Sequence, residues 1–413
     1  MSLFLYNLAI ALYSLAIKIA ALFQQKAALF IAGRKDIFKQ LNLALKDEKR
    51  PIIWIHCSSL GEFEQGRSLI EMIRLNHPTH AIFLSFFSPS GYEFRKNYSG
   101  ADYIFYLPID TAKNAKQWIQ IIQPSLAIFV KYEFWYHHLN QLKKNNIPTL
   151  LISAHFQPDQ IFFKWYGQLF RKLLHNFQHI FVQDQSSVAL LQSIQINSVS
   201  VAGDTRFDRA FAIAQQPKTY ENIEIFKGNK KLLIVGSAWK EDIELNLKLM
   251  PLIQNEYKIL LVPHEIAEEN IQEILKLDPN SICLWESKHS EVQQKPIALV
   301  NSMGHLAFLY RYADIVWIGG GLGKNGIHNT IEPAVYGKAI FFGPNYKRFR
   351  EAEELISNHA AASLSTSQQF YQAFCNSDQI YEMGMQAQSY VHQHLGATQK
   401  IYDYLVANAL FNT

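Results

Sequence analysis

"WIHCSSLGEFEQGRSLIEMI", residues 54–73, runs an apolar stretch into a Ser-Ser-Leu-Gly turn and then places two carboxylates, Glu62 and Glu64, where a helix begins. A strand uncut by polar alternation, followed by a turn and a helix, is the repeating unit of a parallel sheet covered on both faces. The unit recurs. Apolar, β-rich runs stand at "IIWIH" (52–56), "AIFLSFF" (81–87), "LAIFVK" (126–131), "TLLIS" (149–153) and "HIFVQ" (179–183). They resume at "KLLIVGS" (231–237), "KILLVP" (258–263), "SICLW" (281–285) and "DIVWIGG" (314–320), with helix-spaced segments such as "EDIELNLKLMPLIQ" between them. The predicted class is α/β, doubly wound.

The series breaks at "AIAQQPKTYENIEIFKGNKK", which carries Pro217, Gly228 and mixed polar residues without a strand run. At 413 residues the chain exceeds what one core supports, so two Rossmann-like halves are expected. The expected boundaries are 1–35 for an apolar helix and basic flank, 36–210 for the first half, 211–229 for a linker and 230–413 for the second. The last helix is a candidate to pack back on the first half. Ligands of such sheets bind beyond the carboxyl ends of the strands, which puts the expected site in a cleft between the halves.

With 49% hydrophobic and 18% charged residues the composition is that of an ordered protein, and a net charge of +4 without a basic stripe argues against nucleic-acid binding. Cys57, Cys283 and Cys375 form no CxxC pattern, which fits a reducing compartment. From Leu3 to Phe23 the only charge is Lys18, and at ~1.5 Å per residue such a helix roughly matches a bilayer core. Lys26, Arg34, Lys35 and Lys39 follow it, placing the rest of the chain on the cytoplasmic side. The helix either spans the bilayer, lies in its interface, or packs on the protein with Asn7, Ser14 and Lys18 on one polar face.

Four constellations carry candidate chemistry. Glu62 follows the first strand's turn; an acid there stabilises the helix start, with Ser58 or Ser59 as cap, and also suits a general base accepting an alcohol proton. Glu64, two residues on, points elsewhere and is expected to be solvated. In "GGGLGKNGIHNTIEPAVYGKAIFFGP" (319–344), glycines after a strand allow close backbone approach, and amides near His328, Asn329 and Thr330 suit an anion. Glu332 there is either a ribose contact or a first-turn acid, and "FGP" after a further strand is another edge turn. Glu133 and Trp135 in "VKYEFWYHH" (130–138) suit sugar hydroxyls and a ring face, or helix capping and packing. Asp204 and Arg206 in "GDTRFDR" (203–209) either serve the site or pair with each other. No Asp-x-Asp, HExxH or GxSxG occurs, so metal and hydrolase chemistry have no evident residues.

Taken in order, "SLGEFEQG", "PSGYE", "YLPID", "YEFW", "GDTRFD", "NSMGHLAFLYRYAD", "GGG…HNTIEPA" and "FGP" resemble the 3-deoxy-D-manno-octulosonic acid (Kdo) transferases, membrane-bound GT-B glycosyltransferases of lipopolysaccharide synthesis. The resemblance runs from the N-terminal helix through "KAALFIAGR" to about residue 360. It implies transfer of Kdo from CMP-Kdo to a lipid A precursor, with inversion, without metal or cofactor, at the cytoplasmic face of the inner membrane. It assigns Glu62 as general base, in the family's "GE" motif. Ser302, Met303, Gly304, Gly320, Gly321, His328, Asn329 and Glu332 are implied donor contacts. Ser59, Gly61, Glu133, Asp204 and Arg206 are implied on the acceptor side.

This chain departs from the pattern in places. Lys131 replaces the first acid of the family's "ETELWP", and relatives often read "GN" with Lys where Asp204 and Arg206 stand. "VPHEI" (262–266) lacks the arginine of "PRHPE", leaving the donor carboxylate unassigned, with His264 or Lys324 as substitutes. Lys26, Arg34 and Lys35 either meet lipid A phosphates or serve as membrane flanks. Two other readings stay open: a different sugar-nucleotide enzyme of the same fold, such as a UDP-sugar epimerase, and a non-catalytic lipid A-binding relative.

Overall fold

The computed structural model describes residues 2–411 and divides the chain into two compact units. One runs to Arg209 and takes in the chain again from Gly396; the other is Ala210–Leu395.

The first unit holds a parallel sheet of order β3-β2-β1-β4-β5-β6-β7. Its strands are β1 (Ile52–Cys57), β2 (Ala81–Phe86), β3 (Tyr103–Tyr106), β4 (Leu126–Val130), β5 (Thr149–Ala154), β6 (His179–Val182) and β7 (Val199–Val201). Strands β1, β2, β4 and β5 are buried at every position, as uncut apolar runs require. Cys57 lies opposite Phe86, and His56 opposite Phe129, so β1, β2 and β4 end nearly level. The segments 58–62, 87–90 and 131–135 therefore leave the sheet at one edge.

Four helices of this unit bear on that edge: α1 (Leu3–Ala20), α2 (Gln25–Ala32), α3 (Leu60–Asn76) and α4 (Tyr136–Lys144). Among the described residues α1 is the one helix long and apolar enough to cross a membrane, and only 6% of it is buried. The helix Ala397–Ala407 brings Ala397, Ile401 and Leu405 into the cluster of Ile53, Ile55, Phe63 and Ile70.

The second unit repeats the plan with order β10-β11-β9-β8-β12-β13-β14. Its strands are β8 (Lys231–Ala238), β9 (Tyr257–Pro263), β10 (Ile282–Leu284), β11 (Ile297–Leu299), β12 (Ile315–Ile318), β13 (Ala339–Phe342) and β14 (Ala361–Ser363). Helix α5 (Lys240–Ile253) follows β8. Ile318 lies opposite both Gly236 and Phe342, which levels the ends of β8, β12 and β13. Residues 211–229 carry the end of the helix Thr205–Ala214 and the helix Glu221–Lys227, whose Ile223 and Phe226 are buried.

Every run read as a strand is one. Five strands lie outside those runs: β3, β7, β11, β14 and β13, the last being the further strand placed before "FGP". Each has three or four residues, and β3, β7 and β14 are outermost in their sheets. An edge strand meets a neighbour on one side only, so its sequence need not be continuously apolar.

Candidate active site

At the edge of the first unit, β1 passes through Ser58 into Ser59, and the Ser58 carbonyl accepts the amides of Phe87 (3.2 Å) and Ser88 (2.7 Å). This ties the turns after β1 and β2 together. Ser59 caps α3, and its amide (3.0 Å) and hydroxyl both donate to Glu62 Oε2. A Cβ on Gly61 would meet nothing nearer than Ser59 Oγ at 3.8 Å, so the protein's own packing does not demand glycine there.

Glu64 is not the solvated acid expected from sequence. Arg95 (2.7 Å), Arg209 (3.3 Å) and Arg67 (3.7 Å) all pair with it. Among the described residues Glu62 has no cation partner, so of these two acids Glu62 is the one left for a ligand.

Glu133 is 7% exposed. Its Oε2 accepts from Trp135 Nε1 (2.7 Å) and lies 3.0 Å from His56 Nε2. The Trp135 ring sits 4.3 Å from that of Phe87, so segments 87–90 and 131–135 are packed against each other. Asp204 Oδ2 takes Arg206 Nε (2.9 Å) and Nη2 (2.7 Å), the mutual pairing considered above.

The N-terminal helices join this edge through polar contacts. Tyr6 on α1 donates to Asp110 Oδ2 (2.5 Å), and His137 Nε2 donates to Asn7 Oδ1 (2.7 Å). Asp110 also accepts the amides of His137 (2.9 Å) and His138 (3.0 Å), capping α4 just after Glu133 and Trp135. Burial raises the Asp110 carboxyl, but hydrogen bonds from His138, Tyr6 and the His137 amide outweigh it and hold it below the ordinary carboxylate range. Arg34 turns inward. It donates to the carbonyls of Leu107 (2.8 Å), Phe30 (2.9 Å) and Phe87 (2.6 Å), and burial pushes its guanidinium down to about 9. Lys26 and Lys35 stay exposed.

The second unit's edge is built from backbone. A Cβ on Gly319 would meet the Ser237 carbonyl at 2.3 Å, and one on Gly321 would meet the Gly343 amide at 2.7 Å. The turns after β8, β12 and β13 thus cross in direct main-chain contact, which only glycine permits. Asp242, at the start of α5, organises the crossing: Oδ2 accepts the amides of Gly320 (2.8 Å) and Trp239 (2.9 Å), and Oδ1 accepts Trp317 Nε1 (2.9 Å). Burial pushes its carboxyl up.

Beside the crossing, Trp239 stacks on His264 at 4.4 Å and donates Nε1–H to His328 Nε2 at 3.1 Å. Burial and the neighbouring His264 push His328 down to about 4. His264 is thus part of an aromatic wall, while Lys324 is exposed. Asn329 donates to Glu332 Oε1 (3.0 Å) and accepts the Ile331 amide (3.0 Å), at a helix of one turn, Ile331–Ala334. Of the amides at this helix start, that of Ile331 is thus engaged by the protein. Ser302 Oγ and Thr330 Oγ1 are buried and have no protein partner. Met303 is exposed, and a Cβ on Gly304 would meet nothing within 4 Å.

His56, Asp110, Trp239 and Asp242 escape sequence reasoning. The first and last sit inside segments read as strand and helix, and their pattern carried no separate signal.

Residues 35–209 match the family model described as 3-deoxy-D-manno-octulosonic-acid transferase (kdotransferase). A 3-deoxy-D-manno-octulosonic acid transferase of Haemophilus influenzae is 22% identical over 369 residues, covering 86% of each chain. A bifunctional glycosyltransferase/methyltransferase of Fusobacterium nucleatum is 25% identical over 342 residues; the match covers 80% of this chain and about half, 52%, of that protein. Among solved structures, a UDP-GlcNAc 2-epimerase from Neisseria meningitidis bound to UDP-GlcNAc superposes with a TM-score of 0.60 at 14% identity, over 86% of this chain and 100% of the other. At that identity the likeness speaks for the fold alone, the GT-B arrangement of two Rossmann-like units.

Proposed function

The chain is a glycosyltransferase of the Kdo transferase family, and from that premise we propose that it moves Kdo from CMP-Kdo to a lipid A precursor, lipid IVA, by metal-independent inverting transfer. Glu62 is the general base. It takes the proton of the acceptor hydroxyl as that oxygen bonds to the anomeric carbon of Kdo, while the bond to the CMP phosphate breaks and its electron pair leaves on the phosphate. Ser59 holds Glu62 through two donors, which fixes the direction of the carboxylate without neutralising it. The observation that carries this reading is the contrast between Glu62, with no cation partner, and Glu64, paired to three arginines.

On the second unit, the unpartnered hydroxyls of Ser302 and Thr330 and the open backbone at Gly304 support a polar ligand such as CMP-Kdo. Glu332 and Asn329 stand as ribose and phosphate contacts, and Gly61 leaves room for the acceptor.

The protein works at the cytoplasmic face of the inner membrane, attached by α1. Leu5, Leu8, Leu12, Leu15 and Ile19 are exposed along that helix, while Tyr6 and Asn7 are bonded to its own unit. A helix with one face tied down and an apolar face open suits lying in the membrane interface.

The test is mass spectrometry of detergent-purified protein given tetra-acylated lipid A precursor and fresh CMP-Kdo, with metals chelated. The expected product is heavier by one or more Kdo residues. An unchanged lipid, together with turnover of UDP-GlcNAc in a parallel reaction, would overturn the reading in favour of an epimerase.

A further inference from the structure

We infer that His56 is a positioning residue for transfer: it orients Glu133 so that one carboxylate oxygen is engaged inside the protein and the other faces the acceptor sugar. This deepens the Kdo-transfer reading and rests on it for the identity of the acceptor.

His56 lies on β1 and is fully buried. Its Nδ1 is 2.8 Å from Ser85 Oγ on β2, and Trp54 Nε1 donates to that same oxygen at 2.8 Å. A carboxylate oxygen only accepts, so Glu133 Oε2 calls for the proton on Nε2, and in the neutral ring Nδ1 then accepts the Ser85 hydroxyl while Trp54 donates to the serine oxygen. The ring proton then sits on Nε2 and donates to Glu133 Oε2, 3.0 Å away. Trp135 sends its N–H to the same Oε2 at 2.7 Å rather than to the protonated Nε2 at 3.2 Å. Both donors converge on Oε2. Oε1 has no described partner and is not among the buried atoms that lack one, so it is the oxygen open to solvent.

A core without other duties gains little from such a chain, since a histidine and a carboxylate taken out of water cost more than apolar residues of the same shape. Here Trp54, Ser85, His56 and Trp135 together fix a single carboxylate at the carboxyl edge, after β4. An oriented carboxylate beside an indole ring suits hydroxyl groups of a sugar, one oxygen accepting and the aromatic face packing.

Two variants separate orientation from packing. His56→Gln keeps a side-chain N–H for Glu133, and His56→Leu fills the space without one. With wild-type enzyme active on lipid IVA, His56→Leu is expected to lower kcat by about tenfold to a hundredfold, with CMP affinity unchanged and His56→Gln within about threefold of wild type. Equal kcat in all three, or equal loss in both variants, overturns the proposal.

A second readout does not depend on turnover. In wild-type protein labelled with ¹⁵N-histidine, the signal absent from His56→Gln is expected to report an Nε2–H ring that shifts on Glu133→Gln. A ring protonated on Nδ1 alone overturns the proposal. Should the wild-type enzyme fail to transfer Kdo, the functional reading falls, and the labelled spectrum still decides whether His56 holds Glu133.

Discussion

At the end of β1 the first unit presents side chains: Glu62 held by Ser59, and Glu133 held by His56 and Trp135. At the ends of β8, β12 and β13 the second unit presents main chain, three turns crossing through Gly319, Gly321 and Gly343 around a buried Asp242. Both edges stand on seven-stranded parallel sheets. The difference follows from what each must do under the proposed function. Moving a proton needs a titratable group in a set direction, whereas holding a nucleotide needs a close, rigid surface with donors.

The sharpest break of that comparison is Glu62→Gln. It should lower transfer by about a thousandfold, in the range of a lost general base, with CMP affinity unchanged. Titration of CMP beside the transfer assay checks both. Retained transfer would place the base elsewhere.

Next in size is Asp110→Asn. It leaves Tyr6, His138 and two amides facing an amide in place of a buried carboxylate, and should cost about 3 kcal/mol by denaturant unfolding. Because the folded carboxyl is held below its ordinary value, this contribution is present at neutral pH and is lost as pH falls below the carboxylate range. A variant as stable as wild type would show that the Asp110 cap does not secure the first edge.

Glycine substitutions compare the edges directly. Gly320 has φ +91°, and a Cβ there would meet the Gly326 carbonyl at 2.2 Å, so Gly320→Ala should lower CMP affinity by about tenfold. Gly61→Ala, in open space, should leave the melting temperature within about 1 °C of wild type. Calorimetry with CMP and a melt of each variant distinguish the two.

The smallest effect is on pH. His328 sits at about 4 in the fold against 6.5 in a free chain, so between those values the unfolded chain binds more protons. The stability it supports is full above 6.5 and is lost as pH falls toward 4. His328→Gln should therefore lose less melting temperature than wild type between pH 7 and pH 5, by roughly 2 °C.

Much of the fold was legible. Strands covered on both faces are mostly apolar, and β1, β2, β4, β5 and β12 are buried at every position, with His56, Ser85, Thr149 and Ser153 the polar exceptions. The positions of Glu62 and Glu133 just past such runs were legible for the same reason. The outermost strands β3, β7 and β14 were not, because they are partly exposed and need no uncut apolar run, and β11 was passed over although its three residues are apolar and buried. Glu64 was misread as solvated because its arginines come from positions 67, 95 and 209, two of them far along the chain.

The sequence by itself determined two parallel α/β units, an acid after the first strand, an apolar N-terminal helix, and an order of motifs that resembles the Kdo transferases. These are local properties, since burial on both faces and the turn after a strand constrain residues next to one another. Only the tertiary structure decided that His56 meets Glu133, 77 positions away, that Tyr6 meets Asp110, and that the glycines of the second unit pack against each other's backbone. Those partners depend on which strands lie side by side and where they end, and sheet order and register are set by the whole chain at once.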